Sequence, residues 1–202
     1  MIYSCDKLLD KDDDTLGGDP SPIGAVGVTT ESSSMEIAGV SNFSAAVIAA
    51  KSGVSTYSGQ ATVKNQIIKN LLSNIPGLKI NGDQVSSDSV KFKQTDEGIE
   101  FLTGPSAGVW VKYGSEVGDT YPIGSTGKVR TVVEKTGVDD YGYGFMLIKV
   151  IKVEEDPSYL SGGGIEKITY VANHRFGLVG LKFTFGDGTS ANFPIYSSAG
   201  NK

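Results

Sequence analysis

From about Met35 onward, apolar and polar positions alternate in short runs with a period of two, which marks half-buried strands rather than helices. Leu181-Lys182-Phe183-Thr184-Phe185 is the cleanest instance. Similar runs predict strands over 44–51, 54–63, 85–94, 98–102, 109–113, 128–135, 146–154, 165–172, 177–185 and 190–196. Turn-forming residues separate them at Ser52-Gly53, Asn81-Gly82, Asp96-Glu97-Gly98 and Gly186-Asp187-Gly188, where the chain needs φ values that glycine and asparagine tolerate. One segment breaks the period. Ile67, Ile68, Leu71 and Leu72 share a helical face, and Pro76-Gly77 stops the run, so a single short helix is expected near residues 65–74.

Many strands with hairpin-length links predict a mainly β fold: an antiparallel curled sheet, closed as a half-barrel or folded as a sandwich, with one short helix. Residues 1–33 hold few large apolar side chains. They are expected to form a disordered acidic tether ahead of a single β-rich domain over 34–202.

Charge sharpens that division. Of a net charge of −5, the stretch up to Asp19 carries −4, with six aspartates against Lys7 and Lys11. The body is close to neutral and offers no basic field for nucleic acid. No run approaches the roughly 20 apolar residues of a membrane helix. Only Met1 to Ser4 precede Cys5, too little for a secretory signal. The expectation is therefore a start upstream of Met1; a cytoplasmic protein is the alternative if Met1 is the true start.

Cys5 is the sole cysteine, which excludes an intrachain disulfide and a multi-cysteine zinc site. Its place at the head of a polar leader suits a lipid attachment point, and several acyl chains on one residue hold a membrane firmly. Asp10, Asp12 and Asp14 have the first three spacings of a calcium loop. Thr15 and Ser21 stand where that loop needs glycine and glutamate, so no metal is expected there. With Lys11 and Asp13 they fit a solvated surface address or a plain spacer better.

His174 is the only histidine, and its place before Phe176-Gly177 suggests a bend between strands. Asp96-Glu97, Asp139-Asp140 and Glu154-Glu155-Asp156 are carboxylate clusters beside glycine, proline or strand ends, where solvated turn acids belong. Gly162-Gly163-Gly164 lacks the lysine and hydroxyl of a phosphate loop. Tyr141-Gly142-Tyr143-Gly144-Phe145 and Trp110 could offer flat faces to a glycan or peptide. Trp110, Tyr141, Tyr143, Phe145 and His174 are thus the candidate ligand contacts. No cofactor, metal or catalytic residue is expected.

The leader Cys5-Asp6-Lys7 through Asp10-Lys11-Asp12-Asp13-Asp14 resembles the start of mature lipoproteins of the Bacteroidota, with Ser4 as the small residue before the cysteine. Three further segments resemble surface lipoproteins of that group with no assigned activity. They are Ser21-Pro22-Ile23-Gly24-Ala25-Val26-Gly27, Val111-Lys112-Tyr113 with Val117-Gly118-Asp119-Thr120-Tyr121, and Ala172-Asn173-His174-Arg175-Phe176-Gly177-Leu178-Val179. The resemblance implies a palmitate-bearing, outer-membrane protein facing the cell exterior and acting as a binding or structural module; a periplasm-facing position is the variant. It also implies an alternative, a carrier of a lipid or apolar ligand in the hollow of a curved sheet, with the helix as plug or lid. A glycan-acting hydrolase is the remaining class.

Overall fold

A computed structural model describes residues 15–33 and 35–201; Cys5 and Asp10 to Asp14 lie outside the described residues. The body is mainly β, as the alternation predicts. Among the described residues there are fifteen strands and one α-helix, and thirteen of those strands share a single antiparallel sheet. They are β1 (Thr29–Ser32), β2 (Val40–Lys51), β3 (Val54–Val63), β4 (Lys79–Asn81), β5 (Gln84–Thr95), β6 (Gly98–Phe101), β7 (Gly108–Lys112), β8 (Thr120–Pro122), β9 (Val129–Lys135), β10 (Tyr141–Tyr143), β11 (Met146–Ile148), β12 (Ile151–Glu155), β13 (Ile165–Asn173), β14 (Gly177–Phe185) and β15 (Ser190–Ser197).

Along the sheet the order is β7-β6-β5-β3-β2-β1-β15-β14-β13-β12-β9-β8, with β4 paired to β5. The N-terminal strand β1 sits mid-sheet, joining the hairpins before the helix to those after it through β2 on one side and β15 on the other. The sheet then rolls into a nearly closed half-barrel. Its end strands β7 and β8 come together, and β6 and β7 pack across the interior on β12, β13 and β14. The rings of Trp110 on β7 and Tyr170 on β13 lie 4.5 Å apart. A twisted sheet of this width tends to curl on itself, and here apolar residues of both halves, among them Val111, Val153 and Ile168, meet in one core.

The helix, α1 (Gln66–Leu72), begins where β3 ends. Asn65 caps it, its side-chain oxygen accepting from the backbone N–H groups of Ile67 and Ile68. The buried Ile68 and the partly buried Ile67, Leu71 and Leu72 join the core. Two ties fix the helix across the barrel end. Lys69 bonds Asp83 at 2.6 Å, and Asn74 exchanges hydrogen bonds with Ser161. The triple glycine lets this approach happen. A Cβ on Gly162, where φ is +116°, would lie 2.6 Å from Asn70 Cβ, and one on Gly164 would meet Ile67.

The expectation of a tether through residue 33 needs correction over its described part. Leu16 is fully buried, with Ile23 and Val28 close to it in burial. Residues Pro22–Gly24 form a 3-10 turn whose Gly24 carbonyl accepts from Ser55 Oγ at the start of β3. Pro20 bridges to Thr95. A few well-placed apolar residues therefore order a segment whose average composition is polar. This segment and α1 lie at opposite ends of β3.

Candidate functional site

Within the half-barrel lies a cavity of about 290 Å³. It exists because one cross-strand row of the wall is built from small residues. Ser197, Thr30, Ala45, Gly59 and Ser87 stand side by side on β15, β1, β2, β3 and β5, and all five face the cavity. Larger side chains in this row would fill it. Gly59 has a further reason to be glycine, because a Cβ there would sit 3.0 Å from Ala45 Cβ and from Ser44 O.

Around this row the walls are apolar. Tyr57, Phe92, Phe101 and Trp110 form a run of aromatic contacts with ring centroids 5.0–5.5 Å apart. Leu178, Leu181 and Ile195 supply the facing side. Ile23 of the N-terminal 3-10 turn reaches in from one end, and Leu72, Ile75 and Leu78 of α1 and its following turn from the other.

Among the described residues no charged side chain lines the cavity. Its polar groups are few, and two lack partners. Gln94 is 8% exposed. Its Nε2 donates to Tyr57 Oη at 2.6 Å, but its Oε1 finds no hydrogen-bond partner among the described residues. The indole Nε1 of Trp110 is likewise buried and unpartnered. A buried polar atom without a partner costs about 1–3 kcal/mol, and among the described residues the other two such side-chain atoms are Arg130 Nε and Glu155 Oε2, which face each other as an ion pair. Burial pushes the Tyr57 hydroxyl up to about 12, partly offset by the bond from Gln94, so Tyr57 stays neutral.

The sequence-derived candidates are not gathered into one site. Trp110 belongs to the cavity wall rather than to an exposed platform. Tyr143 is buried against Phe176, ring centroids 4.8 Å apart, and its hydroxyl accepts from Ser197 N. Tyr141 is half-buried in the same outer cluster, where β10 and β11 pair as a small hairpin packed with Val171 and Val179. Only Phe145, at the hairpin tip, stands fully in solvent. His174 is exposed in the turn between β13 and β14. The glycine-rich aromatic loop is thus a two-stranded strap, and its tyrosines hold it to the sheet.

One carboxylate also departs from expectation. Glu155, expected as a solvated turn acid, is 3% exposed and paired with Arg130 at 2.7 Å. Arg130 also donates to the carbonyls of Val109 and Ser106, and Tyr159 donates to Glu155. The pair is held by charge at 2.7 Å, Nε and Oε2 missing hydrogen-bond alignment, and the remaining bonds of the cluster are structural. Among the described residues no three metal-ligating side chains converge, and no helix is long and apolar enough to cross a membrane.

Small residues on five adjacent strands were legible only after register was known. The sequence shows Ala45, Gly59 and Ser87 but not that they stand in one row. The chain matches no protein-family model, no curated protein and no solved structure.

Proposed function

We propose that this protein binds a small apolar ligand inside its half-barrel, as a carrier or receptor held at a membrane by lipid on Cys5. The supporting observation is the uncharged interior cavity bounded by the Ser197–Thr30–Ala45–Gly59–Ser87 row. Binding sites are concave and mostly apolar, with a few convergent polar groups, and this cavity has that composition. Of the classes weighed from sequence, the carrier is the one it favours. An exposed aromatic platform finds little support, since Trp110 lines the cavity and Tyr143 is buried against Phe176 beneath the strap. A hydrolase would need converging polar groups, and His174 stands alone on the surface.

The membrane part of the proposal rests on the leader. Cys5 followed by Asp10, Lys11, Asp12, Asp13 and Asp14 suits an acylated, outward-facing address, with the ligand-binding body beyond it.

Solvent extraction of protein purified from its native host tests the binding reading. The expected result is a stoichiometric apolar molecule in the extract, and its loss in Ala45→Leu, which fills the small-residue row. An empty extract from the folded wild-type protein would count against the carrier. The anchor is tested separately by expressing the chain behind a lipoprotein signal sequence: Cys5→Ala should abolish palmitate incorporation. Unchanged incorporation would refute Cys5 as the attachment point.

A further inference from the structure

We infer that the tip of the β10–β11 hairpin, Phe145-Met146-Leu147, dips into the lipid surface to which Cys5 tethers the chain and so orients the half-barrel on it; this rests on Cys5 being the anchor. The eight residues from Tyr141 to Ile148 include no charged side chain. Tyr143 and Ile148 are buried and Tyr141 half-buried, packed with Val171, Phe176 and Val179 on the sheet. What that packing leaves outside is apolar. Phe145 stands fully in solvent, Leu147 is 60% exposed and Met146 50%. Single exposed apolar residues are ordinary. Three in succession at a hairpin tip serve no core, and such a run points to a surface that covers it.

Position selects the surface. The Tyr143 ring lies 4.8 Å from that of Phe176, in the turn between β13 and β14. A Cβ on the next residue, Gly177, would lie 3.1 Å from the Ile23 side chain of the N-terminal 3-10 turn. Ahead of that turn Pro20 bridges to Thr95, and the N–H of Leu16 reaches Glu100. The described chain thus begins at the end of the half-barrel that carries the hairpin, opposite α1. Ten positions separate Cys5 from Thr15, a span of at most about 35 Å when fully extended. Lipid on Cys5 therefore holds this end of the body close to the bilayer.

The chemistry of the tip suits lipid better than a protein partner. A specific protein interface buries about 800 Å² on each side, more than three side chains at one hairpin tip provide, whereas a bilayer requires no matching shape. Aromatic and aliphatic side chains that enter the headgroup boundary gain by leaving water. The charges beside the hairpin have both signs, Asp139 and Asp140 before it and Lys149 after it, all exposed. They supply no basic field for anionic headgroups, so the insertion is apolar and insensitive to salt.

The test uses the full chain coupled through Cys5, its only thiol, to phosphatidylcholine vesicles bearing a maleimide lipid. Trp110 is the only tryptophan, so in Trp110→Phe a single indole can be placed at will, with each fold checked by circular dichroism. At Phe145→Trp or Leu147→Trp its emission should shift to the blue on coupling and be quenched by brominated phosphatidylcholine. At Ile80→Trp, an exposed site on β4 near the α1 end, it should stay unquenched. Should Trp110→Phe not fold, hydrogen exchange in the unaltered chain replaces it, slower over 141–148 on vesicles than with a soluble maleimide. An unquenched tip on folded, coupled protein overturns the inference. Because the coupling is chemical, that outcome leaves acylation of Cys5, read by palmitate incorporation, to stand or fall on its own. Quenching at residue 80 as strong as at the tip, or a requirement for anionic lipid, also overturns it. Dimerisation of the free chain that Phe145→Ser abolishes would assign the tip to a second copy instead.

Discussion

Arg130 and Glu155 stand directly opposite each other on β9 and β12, with guanidinium Nε and carboxylate Oε2 2.7 Å apart and both side chains out of solvent. The pair sits where the rolled sheet closes, since Arg130 also holds the carbonyls of Ser106 and Val109, before and within the far edge strand β7. Its guanidinium lies over the Tyr170 ring, 5.8 Å from the centroid. One side chain thus joins β9, β12 and β7, taking the place of a continuous ladder across the seam.

Removing one member should therefore cost more than removing both. Arg130→Met leaves a buried carboxyl and unpaired carbonyls, and should lose about 3–5 kcal/mol in urea unfolding at pH 7. Arg130→Met with Glu155→Leu should recover part of that loss. Burial raises the Glu155 carboxyl above its ordinary range, against the pull of Arg130, and loss of the arginine raises it further. A raised folded-state pKa gives stability that is present below the unfolded value, about 4.3, and lost as pH rises through the folded value. The single variant's deficit should thus shrink on acidification toward pH 4. A deficit that stays constant over that range would show that Glu155 is not the source of the penalty.

Leu16 tests where the folded body begins. It is completely buried among core residues, and its backbone N–H reaches Glu100 at 3.3 Å. Leu16→Ala should destabilise the protein by about 2–5 kcal/mol, as a large-to-small change in a core does. A residue in a solvated tether would give no measurable change, so chemical denaturation decides between the two.

The strands and the helix were legible in sequence because each announces itself within a few residues. Leu181 to Phe185 alternates cleanly, and Asn65, Ile68 and Pro76 bracket one short helix. Three features depended on contacts distant in sequence. The strand β1 has a Thr-Thr-Glu-Ser sequence with no apolar alternation, and it takes its place through pairing with β2 and β15. Predicted as one strand, 146–154 instead divides at Lys149-Val150 into β11 and β12, which serve different sheets. Glu155 looked like a turn acid because its partner Arg130 lies 25 positions upstream in the numbering. The cavity was the least legible feature, since it is defined by what five strands lack.

Asp156, next to Glu155 but exposed, makes a different pH prediction. It caps the 3-10 turn Pro157–Tyr159 through Ser158 N and pairs with Lys128 at 2.8 Å. The hydrogen bond from Lys128, then those from Ser158, lower its pKa to about 2. A depressed folded-state pKa gives stability that is present above the unfolded value, about 3.9, and lost as pH falls through about 2. Solvent screening keeps the effect below about 1 kcal/mol. Asp156→Asn should therefore lower the Tm slightly at pH 7, where the contribution is fully present, converge on the wild-type value near pH 2, and so flatten the acid limb of a Tm-against-pH curve between pH 4 and 2. An unchanged acid limb would mean that the Lys128 pair contributes nothing in solution.

The tie between Asn74 and Ser161 should govern how fast the proposed ligand exchanges. Leu72, Ile75 and Leu78 close one end of the cavity, and the turn that carries them is fastened by Asn74, whose amide reaches Ser161 O at 2.9 Å and accepts from Ser161 Oγ at 2.6 Å. These bonds lie near the surface, so losing them should cost only about 0.5–1.5 kcal/mol of global stability. Their effect on local opening is larger in proportion, because a short helix with few core contacts belongs to the low-stability part of a fold. Asn74→Ala should then speed hydrogen exchange over residues 66–78 and raise the dissociation rate of a bound apolar probe such as 1-decanol, read by stopped-flow emission of Trp110 in the cavity wall, while equilibrium affinity changes little. Faster exchange at α1 with an unchanged dissociation rate would place the ligand's exit at the other end, beside Ile23.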